Sequence, residues 1–273
     1  MTDDLLAGYL RARRGQLRPA DVGLPEGNAR RRVTGLRREE VALLAGISAD
    51  YYLRLEQGRG GSPSQDVLRS LARALRLDEA ATGYLTRLGL PQMVEPASAD
   101  AGEQVPATVM NLVKLLELPA FVTGQHFDVL AANEGARKIS PELVPGKNRL
   151  RSFFLVESEM SLYVDWQTTA ERFVAVVRDT VGQGATRPDF LALIDDLSEQ
   201  SETFRDLWNR HDVVTRDTEP AVLRHPVAGP LRLHLEQLDL TGVPGQSLVV
   251  YHPEAGSPDA DRLASLLSAP GPR

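Results

Sequence analysis

The sequence contains no cysteine, which excludes disulfide bonds, thiolate metal sites and cysteine nucleophiles. It also contains no apolar run of about eighteen residues, the length that a membrane-spanning helix needs. The first residues, MTDDLLAGYLRARR, are acidic at their start and lack the apolar core of an export signal. We therefore expect a cytoplasmic protein that has no membrane partner.

Catalytic motifs are also missing. The five histidines show no HExxH spacing, and no GxSxG sequence is present. The glycine-rich stretch GRGGSP follows a predicted helix instead of a strand, which argues against a nucleotide-binding loop. We therefore expect no enzyme, no cofactor and no metal site, because an enzyme would need a convergent polar site that the sequence does not supply.

Lysine is scarce, with only Lys114, Lys138 and Lys147 among 31 basic residues, so arginine clusters alone are weak evidence of a binding site. The distribution of charge is more informative. Residues 1–90 carry 15 Arg against 11 Asp and Glu, a balance of +4, whereas the remainder has a balance of −10 and the whole chain −6. A basic N-terminal region followed by an acidic remainder is expected when one domain binds phosphate groups and the other does not.

The length of 273 residues favours two domains. Apolar residues at helical spacing, with Ser48, Ser64 and Asp78 as helix N-caps, predict an all-α domain of about five helices at 1–89. Residues 90–106 are rich in Pro, Ala, Gly and acids, and predict a linker. Residues 107–273 form the second predicted domain.

The second domain has the pattern of an α+β fold. The segment AFVTGQHFDVLAAN predicts a hairpin around 124–126, and apolar spacing over 157–182 predicts one long helix, with others through about Arg210. Four later segments predict strands: HDVVTR, AVLRHPV, PLRLHLEQLDL and SLVVYHPE. We expect an antiparallel sheet covered by helices.

The stretch GISADYYLRLEQGRG has the pattern of a helix-turn-helix, in which two helices cross steeply. Such a crossing needs a small residue on the first helix, a glycine in the turn and apolar residues on the inner face of the second. Those roles fall in order on Ala42, Gly46, Ile47, Tyr52 and Leu55. The other face of the second helix then carries Ala49, Asp50, Tyr51, Leu53, Arg54 and Gln57.

The segment EEVALLAGISADYYLRLEQGRGGSPSQDVLRSLARAL resembles the XRE (lambda-repressor-like) helix-turn-helix regulators, over about residues 5–88. The resemblance implies that the second helix of the pair lies in the DNA major groove and that the preceding helix begins near phosphate. It also implies a buried-side pair between Glu56 and Arg11. The residues expected to contact DNA are Arg37, Arg38, Ser48, Asp50, Tyr51, Arg54 and Arg59.

Each outward side chain has a distinct chemical role. Arg54 can bond guanine O6 and N7, Asp50 can accept from cytosine N4, and Tyr51 can pack on a thymine methyl or donate to phosphate. Alternatively, Asp50 and Arg54, four residues apart, pair along the helix surface. Arg30, Arg31 and Arg32 either reach a minor groove or the backbone of DNA, or belong to a solvated loop.

Residues from about Val105 to Leu267 resemble the MmyB-like (MltR-type) ligand-binding domain of actinobacterial regulators, through LELPAFVTGQHFDVLAAN, LYVDWQTTAERFVA, FRDLWNRHDV, LRHPVAGPLRL and SLVVYHPEAGSP. The resemblance implies a PAS-like sheet with helices around an apolar pocket that holds a fatty-acid-like molecule. The candidate ligand-binding residues are Phe154, Tyr163, Trp166, Phe173, Trp208, Arg210 and His211. The alternatives are an aromatic core without a ligand, and for residues 208–212 a hydrogen-bonded helix-to-strand junction.

The sequence thus predicts a DNA-binding transcriptional regulator, homodimeric on a near-palindromic operator in double-stranded DNA. Its C-terminal domain is expected to bind a small apolar or amphipathic effector and to change the affinity for DNA. The alternative is a regulator whose C-terminal domain binds a protein partner and no small molecule.

Overall fold

A computed structural model describes residues 2–25, 35–90, 104–182, 188–210 and 219–269. The chain divides into two compact units. The first contains residues 1–94, 174–191 and 205–215, and the second contains residues 95–173, 192–204 and 216–273. Helices from the C-terminal part of the chain therefore contribute to both units, and the predicted boundaries at 89 and 107 remain predictions.

The N-terminal part of the first unit is all-α, as the helical spacing predicts. It contains helices α1 (Thr2–Gln16), α2 (Arg38–Ala45), α3 (Ala49–Glu56), α4 (Gln65–Ala74) and α5 (Glu79–Gly89), with a 3-10 turn at Pro19–Val22.

The predicted caps of this unit are confirmed. The side chains of Ser48, Ser64 and Asp78 accept hydrogen bonds from backbone N–H groups in the first turns of α3, α4 and α5. The helices enclose one apolar core, in which the rings of Tyr9 and Tyr84 meet edge-to-face at 5.0 Å.

Within the described residues, the second unit contains a five-stranded sheet, which is antiparallel as the sequence predicts. Its strands are β1 (Ala120–Thr123), β2 (Val129–Ala132), β3 (Ala221–His225), β4 (Gly229–Asp239) and β5 (Ser247–His252), in the order β2-β1-β5-β4-β3. Strands β1 and β2 form the predicted hairpin. The predicted strand HDVVTR lies outside the described residues.

The remaining helices are α6 (Ala107–Leu115), α7 (Glu134–Ile139), α8 (Arg149–Leu155), α9 (Glu157–Leu162), α10 (Trp166–Gly182), α11 (Pro188–Gln200), α12 (Glu202–Arg210) and α13 (Pro258–Ser268). Helix α6 packs Val113 on one face of the sheet, against Val122 and Leu248. Of the helices in the described ranges, none combines the length and apolar character that crossing a bilayer requires.

The prediction of one helix over 157–182 is wrong, because the chain leaves the helix between α9 and α10. Tyr163 forms a β-bridge with Leu223, and the backbone N–H of Val164 donates to Val222 O at 2.9 Å. The chain thus pairs briefly with the edge strand β3. Asp165 then starts α10, since its Oδ1 accepts from the backbone N–H of Thr168 at 3.0 Å.

Candidate DNA-binding face and aromatic core

Helices α2 and α3 are joined by a tight turn that requires glycine. Gly46 has a φ of +68°, and a β-carbon added there would meet no atom within 4 Å. Backbone conformation, and not space, therefore restricts this position to glycine. The turn orients α3 so that Tyr52 is fully buried while Tyr51 is only partly buried. The helical spacing predicts this difference, with Tyr52 facing the core and Tyr51 facing outward.

A buried carboxylate joins three helices of this unit. Glu56, at the end of α3, is 1% exposed and accepts from Arg14 Nε at 2.6 Å and from Arg38 Nε at 2.6 Å. Arg14 also donates to Leu36 O at 2.9 Å. The expected pairing of Glu56 with Arg11 is wrong, because Arg11 Nε donates to Ala7 O within its own helix. The resemblance identified the acid correctly but not its partner on α1.

The charge on Glu56 is maintained by its two arginines. Burial raises the pKa of the carboxyl group, but hydrogen bonds from Arg14 and Arg38 outweigh burial, so the net pKa lies below the usual range. The carboxylate is therefore ionised at neutral pH, and it fixes the end of α3 relative to α1 and α2.

The outward side chains of α3 contact one another in the free protein. Asp50 Oδ2 and Arg54 Nε are 3.5 Å apart, and Arg54 lies 5.8 Å from the centre of the Tyr51 ring. The side chains of Asp50 and Arg54 are 76% and 53% exposed, so this ion pair contributes only about 0.3–0.5 kcal/mol. A bidentate arginine–guanine contact provides about 1–3 kcal/mol of discrimination, so the pairing along the helix does not prevent base contact.

The other predicted DNA contacts surround this face. Ser48 Oγ accepts from Tyr51 N at 3.1 Å as the cap of α3, which leaves its hydroxyl proton able to donate. Arg37 and Arg59 are exposed, whereas Arg38 is held by Glu56 and therefore has a structural role in addition to the predicted phosphate contact. Arg30, Arg31 and Arg32 lie outside the described residues.

The second unit contains a cluster of aromatic rings. Phe153 lies at the centre of the cluster, and the ring centroids of Phe154, Tyr163, Trp166 and Phe173 are 5.0, 5.1, 5.7 and 5.2 Å from its own. The predicted set Phe154, Tyr163, Trp166 and Phe173 is therefore brought together.

A cluster of buried polar side chains lies beside these rings and includes the charged residues Arg149 and Glu159. Arg149 NH1 donates to Glu159 Oε1 at 2.7 Å, and Arg149 NH2 donates to the hydroxyl of Tyr163 at 3.3 Å. Ser140 also donates to Glu159. Burial raises the pKa of Tyr163 well above its usual value, so the phenol stays protonated. Each charge in this group has an opposite partner, as buried charges require.

The other three candidates for the effector site are placed differently. Trp208 belongs to the first unit, where the guanidinium of Arg178 lies 4.3 Å from its ring centre and donates to its carbonyl oxygen. Arg210 is exposed, and its carbonyl oxygen accepts from Gln16 Nε2 at 2.9 Å. His211 lies outside the described residues.

Comparison with known families identifies both parts of the chain. Residues 5–85 match the helix-turn-helix domain model, and residues 105–267 match the model of the MmyB-like transcription regulator ligand binding domain. The second match covers more than half of the chain. The chain belongs to the MmyB-like transcription regulators. No curated protein matches it.

Membership of the MmyB-like transcription regulators gives the two matched regions their roles. The helix-turn-helix model includes the turn at Gly46 and the outward face of α3, and the chain is a DNA-binding transcription regulator. The ligand-binding model includes the sheet and the aromatic cluster around Phe153. Neither family description names an enzymatic activity.

Proposed function

We propose that this MmyB-like regulator binds a specific DNA sequence through α3 and that a small apolar or fatty-acid-like effector in the C-terminal domain controls the binding. The observation that carries the first part is the outward-facing set Asp50, Tyr51 and Arg54 on a helix that the buried Glu56 holds in place. A homodimer would present two such helices about one DNA turn apart, which requires a near-palindromic operator. The regulator acts in the cytoplasm and has no enzymatic activity of its own.

Replacing Arg54 by alanine is expected to weaken binding to the best operator by about 1–3 kcal/mol, because a bidentate base contact is lost. The loss should disappear on operators that are altered at the base pair that Arg54 contacts. The measurement is fluorescence anisotropy of the full chain on an operator selected from random duplexes, and on its single-base variants, at fixed salt.

The matched control is Arg37→Ala, since Arg37 is exposed and Glu56 does not hold its side chain, whereas Arg38 supports Glu56. Loss of a phosphate contact at Arg37 should weaken binding to all duplexes alike and reduce the salt slope by about 1. The role assignment is wrong if Arg54→Ala and Arg37→Ala give the same pattern across operator variants.

The support for an effector is the ligand-binding family match together with the aromatic cluster. Phe153 and Phe154 are each 1% exposed, whereas Trp166 and Phe173 are half-buried. Apolar pockets are lined mainly by hydrophobic and aromatic side chains with few polar groups, and Tyr163 with Arg149 supplies polar groups beside the rings. A molecule with an apolar tail and a polar head fits this combination.

Native mass spectrometry of the purified full chain, beside its denatured extract, tests the effector and the oligomeric state together. We expect a dimer that carries a non-covalently bound lipid-like molecule. A dimer without any adduct that also fails to respond to a panel of fatty acids would contradict the effector proposal. That result would leave the DNA-binding proposal intact.

One observation favours the alternative function, in which the C-terminal domain binds a protein partner. The rings of Phe153, Phe154 and Phe173 contact one another directly, as in a filled core. A filled core leaves no volume for a small molecule. Co-purification of a stoichiometric lipid would rule this alternative out.

A further inference from the structure

A groove on the helix-turn-helix unit lies between α2 and α4, and we call it the α2–α4 groove. Its volume is about 520 Å³. Its walls come from α2, α4 and the 3-10 turn, whereas the predicted base contacts lie on α3. The lining residues are Val22, Leu43, Leu44, Ala45, Gly46, Ser70, Arg73, Ala74 and Arg76.

The groove has exposed leucines on its α2 side. Leu43 is 73% exposed and Leu44 is 36% exposed, while their neighbours Val41, Ala42 and Ala45 are buried in the core of the unit. The two leucines are adjacent and lie beside a concave surface, so they form a small apolar patch that another molecule could cover. Their burial by another molecule would be favourable at about 25 cal/mol per Å² of apolar surface.

Arg73 and Arg76 line the other side of the groove. Together with Arg69, which does not line it, they follow one another along the exposed side of α4 and its end, at the spacing i, i+4 and i+7. They also border a second groove of about 590 Å³, to which Asp66 and Leu77 contribute. Asp66 pairs with Arg69 at 3.3 Å, so three arginines against one aspartate leave a net charge of +2 on this ridge.

We propose that the α2–α4 groove binds an acidic amphipathic helix of a partner protein. Such a helix places apolar side chains at i, i+3, i+4 and i+7 against Leu43 and Leu44, as helices in grooves do. Its carboxylates then meet Arg73 and Arg76, which can hold them by bidentate hydrogen bonds. A partner docked here would leave the outward face of α3 accessible to DNA bases.

One observation favours a protein partner over DNA phosphates. Leucine offers no hydrogen-bond donor to a phosphate oxygen, so Leu43 and Leu44 would gain nothing from a DNA backbone. An acidic apolar helix satisfies both the leucines and the arginines.

The test uses a synthetic helical peptide of about sixteen residues, with leucine at the four anchor positions and glutamate at most others. Fluorescence anisotropy measures its binding to the full chain. We expect saturable binding that weakens with salt, and about tenfold loss of affinity for Leu43→Gln, because one apolar anchor contact is removed. Arg73→Ala should also weaken binding.

The matched control is Leu115→Gln, since Leu115 is 80% exposed on α6 and lies outside the groove. It should bind the peptide like the unchanged protein, and a peptide with lysine in place of glutamate should not bind. The proposal is overturned if the acidic peptide does not bind or if Leu43→Gln and Leu115→Gln have equal effects.

Two further results would assign the groove to another occupant and overturn the proposal. If Leu43→Gln and Arg73→Ala both weaken binding to random duplex DNA, the ridge contacts phosphates. If Leu43→Gln lowers the mass of the assembly in sedimentation, the groove is an interface between copies of this chain.

Discussion

Replacing Glu56 by alanine is expected to lower the free energy of unfolding of the helix-turn-helix unit by about 3–5 kcal/mol. The carboxylate is buried and binds Arg14 and Arg38 at 2.6 Å each. Its removal leaves the guanidinium of Arg14, whose side chain is 15% exposed, without its charged partner. A loss of this size is a large part of the roughly 5–15 kcal/mol that stabilises a typical domain.

Hydrogen-exchange mass spectrometry is the suitable measurement, because a chain with two units does not unfold in a single step. Peptides from α1 to α5 should lose protection while peptides from the sheet keep theirs. The control is Asp50→Ala, which removes an exposed ion pair with Arg54 and should change stability by less than about 1 kcal/mol. Equal losses of protection for Glu56→Ala and Asp50→Ala would contradict the role given to Glu56.

The pH dependence of stability provides a second readout for the same residue. The pKa of Glu56 is lower in the folded protein than the value of about 4.3 expected for an unfolded chain. Its contribution is therefore complete above the unfolded pKa and is lost as the pH falls through the folded pKa. The unchanged protein should lose protection of α1 to α3 below about pH 4, and Glu56→Ala should lack this acid transition.

Local chemistry made much of the N-terminal unit predictable. A serine or aspartate directly before a helical pattern typically accepts a hydrogen bond from a free backbone N–H in the first turn of the helix. Ser48, Ser64 and Asp78 were therefore identified as N-caps from the sequence alone. Successive residues of an α-helix are rotated by about 100° around its axis, and the apolar neighbours show which face is turned inward. Tyr52 is therefore predicted to face the core and Tyr51 to face outward.

The partner of Glu56 was not predictable in the same way. Arg11 and Arg14 are three residues apart on α1 and therefore point in similar directions. Which of the two arginines pairs with Glu56 depends on the position along α1 at which α3 packs. The packing of the core sets that position, and the sequence of neither helix alone determines it. The structure selects Arg14, and its second bond to Leu36 O shows that the site also satisfies a backbone carbonyl.

The break between α9 and α10 shows a different limit. Apolar spacing continues through Tyr163 and Trp166, so periodicity alone predicts an uninterrupted helix. The chain instead pairs Val164 with Val222 of β3, a contact between residues far apart in sequence. A local signal was nevertheless present, because Asp165 stands directly before the helical pattern that begins at Trp166, and aspartate is a favoured N-cap residue. In the structure its side chain accepts from the backbone N–H of Thr168.

Replacing Phe153 by alanine is expected to destabilise the second unit by about 3–5 kcal/mol, because the change removes a ring and leaves a cavity. Four aromatic rings, those of Phe154, Tyr163, Trp166 and Phe173, would lose their contact with it. Hydrogen exchange of α8, β1 and β5 in the full chain measures the loss. Phe153→Leu keeps part of the volume and should cost less, about 1–2 kcal/mol.

The same variant separates the two proposed roles of the C-terminal domain. A ligand that binds only the folded state stabilises it by RT ln(1 + [L]/Kd), so a saturating medium-chain fatty acid reports whether a pocket exists. If the effector proposal holds, the fatty acid raises the protection of the unchanged protein. If the core is filled, the fatty acid stabilises only the Phe153→Ala variant, because that variant has a new apolar cavity. The protein-partner alternative would then explain the role of the C-terminal domain better than the effector proposal. The surface variant Leu112→Ala, at a position 45% exposed on α6, should alter neither the stability nor the response to the fatty acid.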